Sequence, residues 1–418
     1  MIRKLELLIV AVILVVAAFS TALPFLFYLL YLSILVIGGS YIVVRLGLTD
    51  LEAGYAVSQL HGHVGDPLRV TYTLRNTSRL PKLWLEVHNP TTLPGGLPGR
   101  ALSLSGRQER SWLIRAPLTR RGHFRIDPLA IRTGDPFGFF EASAAVGQGV
   151  SIVVYPRLEP VPAWKLPAAN IEGSHAAPER TLQTTPLATS VRPYAPGDSM
   201  NRIHWKSTAR HGEIQVKEFD LEQTADAWII LDLQRAIQTG RGDESTTEAA
   251  IRAAAAIADK ALIENRAVGM TVNARRPAYL PPDRGGRQHL KIMQLLAALE
   301  PDGEAPLVES LVQSVGRLRR GMTAVIITAS VDPAWVRVLS TLRGRGVAAV
   351  VVLVDAPAFD RLAQQARAAV TGDTYAPDPE HEETAAKRMR ALRHALAEYE
   401  LKTYTVVPGK PLAEVLSA

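Results

Sequence analysis

The chain has 418 residues, with 47 lysines and arginines, 40 aspartates and glutamates, and no cysteine. This length predicts two or three domains, because domains cluster near ~100–200 residues. Without cysteine, a disulfide framework, a thiolate metal site and a cysteine nucleophile are excluded. The net charge of +7 comes from interspersed basic and acidic residues, which suits a domain beside an anionic membrane leaflet. Nucleic-acid binding requires a concentrated basic face, so we expect membrane lipid but no nucleic acid among the partners.

The N-terminal region is predicted to lie in a membrane. Residues 7–44 form a run of 38 positions without Asp, Glu, Lys or Arg, whereas one spanning helix needs only ~20 residues. The run therefore predicts two transmembrane helices, Leu5–Leu23 and Phe25–Val44, with Pro24 at the break, and we assign residues 1–46 to this membrane domain. A cleaved signal peptide is the alternative, but its apolar stretch is much shorter.

Basic residues flank the apolar region at both outer ends. Arg3 and Lys4 precede the first predicted helix and Arg45 follows the second, while the turn between them carries no charge. The positive-inside rule places such ends in the cytosol. We therefore expect a multi-pass protein of the inner cell membrane whose soluble domains face the cytoplasm.

Residues 50–157 are predicted to form a small, all-β, sandwich-like domain. Apolar and polar residues alternate over 68–74 and 83–87, and turn residues separate such runs. Asp135–Gly138 reads Asp-Pro-Phe-Gly, and because the other kinase motifs are absent we interpret it as a β-turn with a buried phenylalanine. The Pro-rich residues 158–190 lack periodicity and are predicted to form an extended connector along the surface.

Residues 226–418 are predicted to form a doubly wound α/β domain. Near-continuous apolar runs such as Trp228–Leu233 and Val347–Val354 alternate with helical patterns. Ser245–Glu248 is a capping box that opens the first of these helices. Apolar strands that alternate with helices favour a mainly parallel sheet covered on both faces.

Between the connector and the α/β domain, residues 191–225 concentrate charged, aromatic and turn residues. Asp198 or Ser199 is predicted to cap a helix that runs to about His211, and Gly212 suits its left-handed end. A strand over Glu213–Phe219 is predicted to follow. The segment is therefore interpreted as a turn, a short helix and a strand leading into the sheet.

Basic residues recur every four positions along this predicted helix. Arg202, Lys206 and Arg210 would form a stripe beside Trp205, and Asp198 is placed to pair with Arg202. Three interpretations of the stripe stay open. It is a solvated or internally paired face, a docking surface for a protein partner, since Arg and Trp are enriched in binding hot spots, or a site for anionic lipid or nucleic acid.

The same segment resembles the signature of a bacterial family called "domain of unknown function 58". The matching residues are Arg192, Tyr194, Gly197, Asp198, Arg202, Ile203, Trp205, Lys206, Ala209 and Arg210. The resemblance implies that the α/β part is similar to a von Willebrand factor A domain. It also implies a MoxR-type AAA+ ATPase as the partner, and it brings no catalytic residues with it.

Each possible chemistry meets an obstacle in the sequence. An A-domain metal site would read Asp-x-Ser-x-Ser, but here Gln234 and Ala236 replace the serines after Asp232, so we interpret Asp232 as the remnant of a degraded site. Asp198, Ser199 and His204 include the residue types of a hydrolase triad, yet one short helix directs them apart. We expect no metal, no cofactor and no catalytic residue.

Three hypotheses follow. The first is a membrane-anchored, non-enzymatic adaptor of an AAA+ ATPase, in protein assembly or cell-envelope processes. The second is a hydrolytic or metal-dependent enzyme with an unrecognised site, which requires a bound metal or a perturbed carboxylate in a pocket. The third is an exported adhesion receptor, which requires the opposite topology.

Overall fold

The structure is a computed structural model that describes residues 2–21, 23–167, 190–195, 198, 200–218, 226–371 and 379–417. The chain divides into two compact units. The first contains residues 1–158 together with 293–299, and the second contains residues 159–292 and 300–418.

The first unit begins with two helices, α1 (Ile2–Thr21) and α2 (Pro24–Gly47). Pro24 occupies the first turn of α2, where its missing N–H costs no hydrogen bond. By length and composition α2 is able to cross a membrane, whereas the apolar part of α1, Ile9–Thr21, is shorter. Among the residues that the structure describes, one helix near the N-terminus is therefore apolar and long enough to span a membrane.

Residues 51–155 of the first unit form β-strands, as the alternating pattern predicts. The strands are β1 (Leu51–Val57), β2 (His61–His63), β3 (Pro67–Asn76), β4 (Lys82–His88), β5 (Arg100–Leu104), β6 (Glu109–Pro117), β7 (Gly122–Ile126), β8 (Leu129–Gly134), β9 (Glu141–Val146) and β10 (Val150–Tyr155). They form three sheets, ordered β1-β3-β6, β5-β4-β8-β9 and β2-β10-β7. Alternate residues of β3, such as Leu68 and Val70, point into one apolar core that all three sheets share.

The second unit contains a six-stranded sheet ordered β15-β14-β13-β16-β17-β18. Its strands are β13 (Ala227–Asp232), β14 (Val268–Asn273), β15 (Ala278–Asp283), β16 (Thr323–Thr328), β17 (Ala348–Val354) and β18 (Lys402–Val406). All neighbouring pairs are parallel except β14 and β15. Every residue of β13, β14 and β16 is buried, which explains their continuous apolar sequences and confirms the predicted α/β architecture.

Helices surround this sheet. They are α4 (Thr246–Ile263), α5 (Gly285–Ala298), α6 (Leu307–Val315), α7 (Val336–Gly344), α8 (Ala356–Thr371), α9 (Pro379–Glu398) and α10 (Leu412–Val415). The predicted helix start is confirmed at α4, where Ser245 is the N-cap and its hydroxyl accepts a hydrogen bond from the Glu248 N–H. Apolar residues of β13, β16, β17, α7 and α9 form one buried cluster.

The described part of the predicted connector, residues 158–167, does not run along the surface as expected. Trp164 is buried and its ring lies 4.8 Å from that of Tyr404. The Glu159 carboxylate accepts a hydrogen bond from the Leu412 N–H and pairs with Arg252 at 3.4 Å. Residues 159–167 therefore pack onto the second unit, because Trp164 and its apolar neighbours gain burial there. Residues 168–189 lie outside the described residues.

Candidate functional site

The residues of the predicted signature segment form a small substructure, which we call the signature module. It comprises residues 190–195, 198 and 200–218, with strand β11 (Ser190–Pro193), a 3₁₀ turn (Met200–Arg202), helix α3 (Trp205–His211) and strand β12 (Gln215–Glu218). β11 and β12 pair antiparallel, and Ile203 forms a bridge to Val216. Val216 therefore lies between β11 and the chain that enters α3.

Helix α3 is shorter at its start than the sequence predicts. We expected a helix from Asp198, but α3 begins only at Trp205. The cause is tertiary pairing, because the His204 N–H donates to the Gln215 carbonyl at 2.8 Å and is thereby committed to β12. The predicted end is correct, since Gly212 has a φ of 73° and its N–H donates to Thr208.

His204 takes the capping role that the prediction gave to Asp198 or Ser199. Its Nδ1 accepts a hydrogen bond from the Ser207 N–H at 3.2 Å and lies 2.7 Å from the Ser207 hydroxyl oxygen. Both contacts stay within the first turn of α3, so the His204 side chain satisfies one of the free N–H groups of the helix start, that of Ser207. Ser199, the serine of the rejected triad, lies outside the described residues.

Asp198 pairs with Arg192, and its predicted pairing with Arg202 involves a side chain outside the described residues. The Arg192 guanidinium donates twice to the carboxylate, at 2.7 and 2.8 Å, and the Ala195 N–H donates a third hydrogen bond at 2.9 Å. This bidentate geometry gives strong, directional pairing. The ion pair therefore holds Asp198 beside Arg192 of β11 and the backbone of Ala195. Gly197 and the Arg202 side chain lie outside what the structure describes.

The module buries a small apolar pair and exposes several large side chains. Ile203 and Val216 are buried, whereas the Trp205 side chain is 70% exposed. Lys206, Ala209 and Arg210 of α3 are exposed as well. Tyr194, Met200 and Ile214 also present apolar surface. Because Arg202 precedes α3 in a 3₁₀ turn, the predicted three-residue basic stripe is reduced on the helix to Lys206 and Arg210.

Asp232 lies at the carboxyl end of the central strand β13 and is fully buried. Its Oδ2 accepts a hydrogen bond from the Thr328 hydroxyl at 2.7 Å. Its Oδ1 accepts from the Asn273 amide at 2.9 Å and from the Gln234 N–H at 3.2 Å. Burial raises the pKa of this carboxyl, and the hydrogen bonds from Thr328 and Asn273 oppose the effect. Asp232 thus joins the ends of three neighbouring strands.

The sequence analysis missed both side-chain partners of Asp232, since they are 41 and 96 residues away along the chain. Their signal is their position, because each lies at the carboxyl end of an apolar strand next to β13. Within the described ranges, no group of three His, Asp or Glu side chains is placed to hold a metal ion.

A cavity of about 760 Å³ opens beyond the carboxyl ends of β13, β16 and β17. Its lining is mostly apolar, and its charged members are Asp360, Arg361, Glu382 and Arg388. Open α/β sheets bind ligands at this edge. Asp232 is not among the lining residues, so its carboxylate and the cavity are separate features.

Comparison with known proteins identifies the family. Residues 190–402 match the family model described as "Protein of unknown function DUF58". The chain therefore belongs to this family, which confirms the resemblance carried by the signature segment. The match begins at the first residue of β11 and ends at the first residue of β18, so it covers the signature module and the strands β13 to β17 of the six-stranded sheet.

The chain is also similar to two uncharacterized bacterial proteins. It is 23% identical to YeaD of Bacillus subtilis over 328 residues, which cover 74% of this chain and 79% of that protein. It is 29% identical to Mb1516 of Mycobacterium bovis over 160 residues, which cover 37% of this chain and half of that one. A solved structure, proximal thread matrix protein 1 from the mussel byssus, overlaps 46% of each chain at 11% identity, but its TM-score of 0.28 carries no argument.

Proposed function

We propose that the chain is a membrane-anchored, non-enzymatic adaptor that presents its signature module to a MoxR-type AAA+ ATPase at the cytoplasmic face of the inner membrane. The observation that carries the proposal is the 70% exposure of Trp205 on a short helix whose two ends are both fixed. The family resemblance supplies the class of partner.

A solvent-exposed tryptophan on an ordered helix is well suited to anchor a protein interface. Trp offers a large apolar surface at a small cost in conformational entropy and is enriched in binding hot spots. The cap at His204 and the left-handed Gly212 hold α3 in place before any partner arrives. Such preorganisation reduces the entropy lost on binding. Trp205 is therefore the proposed anchor of the interface.

The charges around Trp205 suggest the character of the partner surface. Lys206 and Arg210 are exposed on α3. Exposed charges steer association and select partners of opposite charge more than they add affinity. The proposed ATPase surface is accordingly acidic around an apolar pocket, and binding weakens as salt concentration rises.

The anchoring part of the proposal rests on the N-terminal helices. α2 has spanning length, and we propose that α1 crosses the bilayer as well, with Arg3, Lys4 and Arg45 on the cytoplasmic side. In this proposed topology the β-strands of the first unit and the whole second unit lie in the cytoplasm, where a AAA+ ATPase has access to them.

We also propose that the α/β unit is von Willebrand factor A-like and serves as a scaffold. In support, Asp232 follows the central parallel strand, which is where the resemblance places the first ligand of an A-domain metal site. Gln234 and Ala236 stand at the hydroxyl positions, and both Asp232 oxygens accept hydrogen bonds from the protein. This interior pairing favours a structural role for the carboxylate over metal-dependent chemistry.

The affinity of the full chain for the MoxR-type ATPase of the same organism tests the proposal. The chain is reconstituted in nanodiscs, and Trp205→Ala is compared with Val370→Ala, which removes an exposed apolar side chain of α8 in the same unit. A hot-spot loss of ~2 kcal/mol corresponds to a roughly 30-fold rise in Kd. We expect that rise for Trp205→Ala alone. Equal affinities for wild type and Trp205→Ala would contradict the proposed docking surface.

A further inference from the structure

The end of α2 is fixed to the β-strands of its own unit. The Lys82 ammonium, on β4, donates hydrogen bonds to the carbonyls of Leu46 and Thr49, the latter at 2.8 Å. Gly47 packs so closely on Thr133 of β8 that an added Cβ would lie 2.8 Å from the threonine side chain. β4 and β8 are therefore held beside the last turn of α2.

An irregularity in β4 exposes two apolar residues at this place. The pairing of β4 with β5 shifts register between Lys82 and Leu85. Lys82 is buried against the end of α2, while Leu83 and Trp84 are 61% and 44% exposed. A bulge redirects side chains in this way, and bulges are commonly functional. The strand thus presents adjacent leucine and tryptophan side chains to the surroundings.

The turn over residues 135–140 adds aromatic rings to the same region. The Asp135 carboxylate accepts hydrogen bonds from the N–H groups of Phe137 and Phe140, at 2.9 and 2.6 Å. The predicted turn is present, but the prediction that its phenylalanine is buried is wrong, because Phe137 is 61% exposed. The Phe137 and Phe139 rings are stacked 5.6 Å apart. The turn is thus ordered around two partly exposed rings.

The contact of this turn with α2 sets the depth of the turn in the bilayer. α2 has 24 residues and so extends ~36 Å, about one turn longer than the ~30 Å hydrocarbon core. If the core begins at Pro24, it ends ~20 residues later, near Val44, so that Tyr41 lies roughly one turn inside its edge and Arg45 reaches the headgroups. The Phe140 ring lies 5.7 Å from the Tyr41 ring. The turn is therefore at the membrane–water interface, where aromatic residues concentrate.

We propose that Leu83, Trp84, Phe137 and Phe139, here called the interfacial patch, form a second membrane contact. The patch lies in the boundary between headgroups and acyl chains of the leaflet in which α2 ends. The patch holds the β-strands of the first unit against the bilayer, so that they keep a fixed orientation and do not rotate about the end of α2. The inference rests on the proposed membrane anchoring by α2.

Because the chain has no cysteine, single nitroxide labels are introduced without background. Phe137→Cys and Leu83→Cys report on the patch, and Ile34→Cys reports on the middle of α2. Leu113→Cys is a matched exposed apolar site on β6, which belongs to a different sheet from β4 and β8. The full chain is reconstituted in vesicles of phosphatidylethanolamine and phosphatidylglycerol. Accessibility to oxygen and to a water-soluble nickel chelate then gives the depth of each label by electron paramagnetic resonance.

We expect the labels at positions 137 and 83 about 5–10 Å below the headgroup surface. The label at position 34 should lie near the bilayer centre, roughly 15 Å from either edge of the core, and the label at position 113 should be in water. Aqueous labels at 137 and 83 with a deep label at 34 would overturn the patch and leave the anchor intact. An aqueous label at 34 would overturn both.

Discussion

The hydrogen bonds of Asp232 make a quantitative prediction about the α/β unit. The change Asp232→Ala deprives three buried donors, on Thr328, Asn273 and Gln234, of their acceptor. Each unsatisfied buried donor costs ~1–3 kcal/mol. Allowing for some reorientation of the hydroxyl and amide groups, we expect a loss of about 4 kcal/mol in the free energy of unfolding of this unit.

Asp232→Asn should cost much less, about 1 kcal/mol, because one oxygen still accepts from Asn273 and Gln234 while the new amide donates to the Thr328 hydroxyl. Asn has nearly the same shape as Asp, whereas Ala also removes the volume of the buried carboxylate group. The difference between the two variants therefore measures the loss of the hydrogen-bonding group together with the small cavity that Ala leaves.

The pH dependence follows from the direction of the pKa shift. Burial raises the folded-state pKa of Asp232 above the ordinary 3.8, so the folded state favours the protonated form. The stability that this group contributes is fully present below the unfolded-state pKa and is lost as pH rises through the folded-state pKa. Asn at position 232 does not titrate, so the Asp232→Asn variant lacks this pH-dependent loss of stability. The stability of wild type relative to Asp232→Asn should therefore fall as pH rises.

Hydrogen exchange with mass spectrometry measures these effects locally, because amides of a central strand open with the whole cooperative unit. Opening free energies of β13 and β14 peptides are compared at several pH values in the full chain. A difference of about 3 kcal/mol between the two variants is roughly a 100-fold change in the opening equilibrium. Equal opening free energies for Ala and Asn variants, or a pH-independent gap between wild type and Asp232→Asn, would refute the reasoning.

Three further predictions concern the module and the membrane end of the first unit. Arg192→Ala and Asp198→Ala should each lower the local stability of residues 190–218 by about 1 kcal/mol, which is measured as faster proteolysis of this segment. The double variant Arg192→Asp with Asp198→Arg should recover part of that loss. Lys82→Met should cost about 3 kcal/mol, since two charged hydrogen bonds to the end of α2 disappear, and proteolysis near residue 49 should accelerate. The pKa of Asp135 is depressed despite burial, because the N–H groups of its turn donate to the carboxylate. The stability that the Asp135 carboxylate contributes is present above pH 3.8 and is lost as pH falls through its folded-state pKa. Asp135→Asn should therefore increase the mobility of a nitroxide label at position 137, and the increase should be largest at neutral pH.

The sequence predicts best where the signal is local. The apolar run of β13, the capping serine of α4 and the left-handed Gly212 of α3 were all expected, because each depends on neighbouring residues. Helix α8 was missed, since its alanine-rich sequence buries chiefly Phe359. Strand β15 was missed because two prolines interrupt it, which an edge strand tolerates.

The remaining features depend on contacts between distant parts of the chain. The start of α3 is set by the pairing of His204 with Gln215, which overrides the capping potential of Asp198. The partners of Asp232 come from strands that are adjacent only after folding. Exposure is equally non-local, since the composition of the turn at Phe137 suggested burial and the fold leaves that ring outside.

Site-specific photo-crosslinking from position 205 tests the central claim most directly. A photoreactive phenylalanine derivative replaces Trp205 in the full chain in living cells, and the same derivative at position 370 is the matched exposed control. We expect a light-dependent adduct with the MoxR-type AAA+ ATPase from position 205 and none from position 370. Absence of that adduct from position 205, in cells whose membrane fraction contains the full chain, would contradict docking through the signature module.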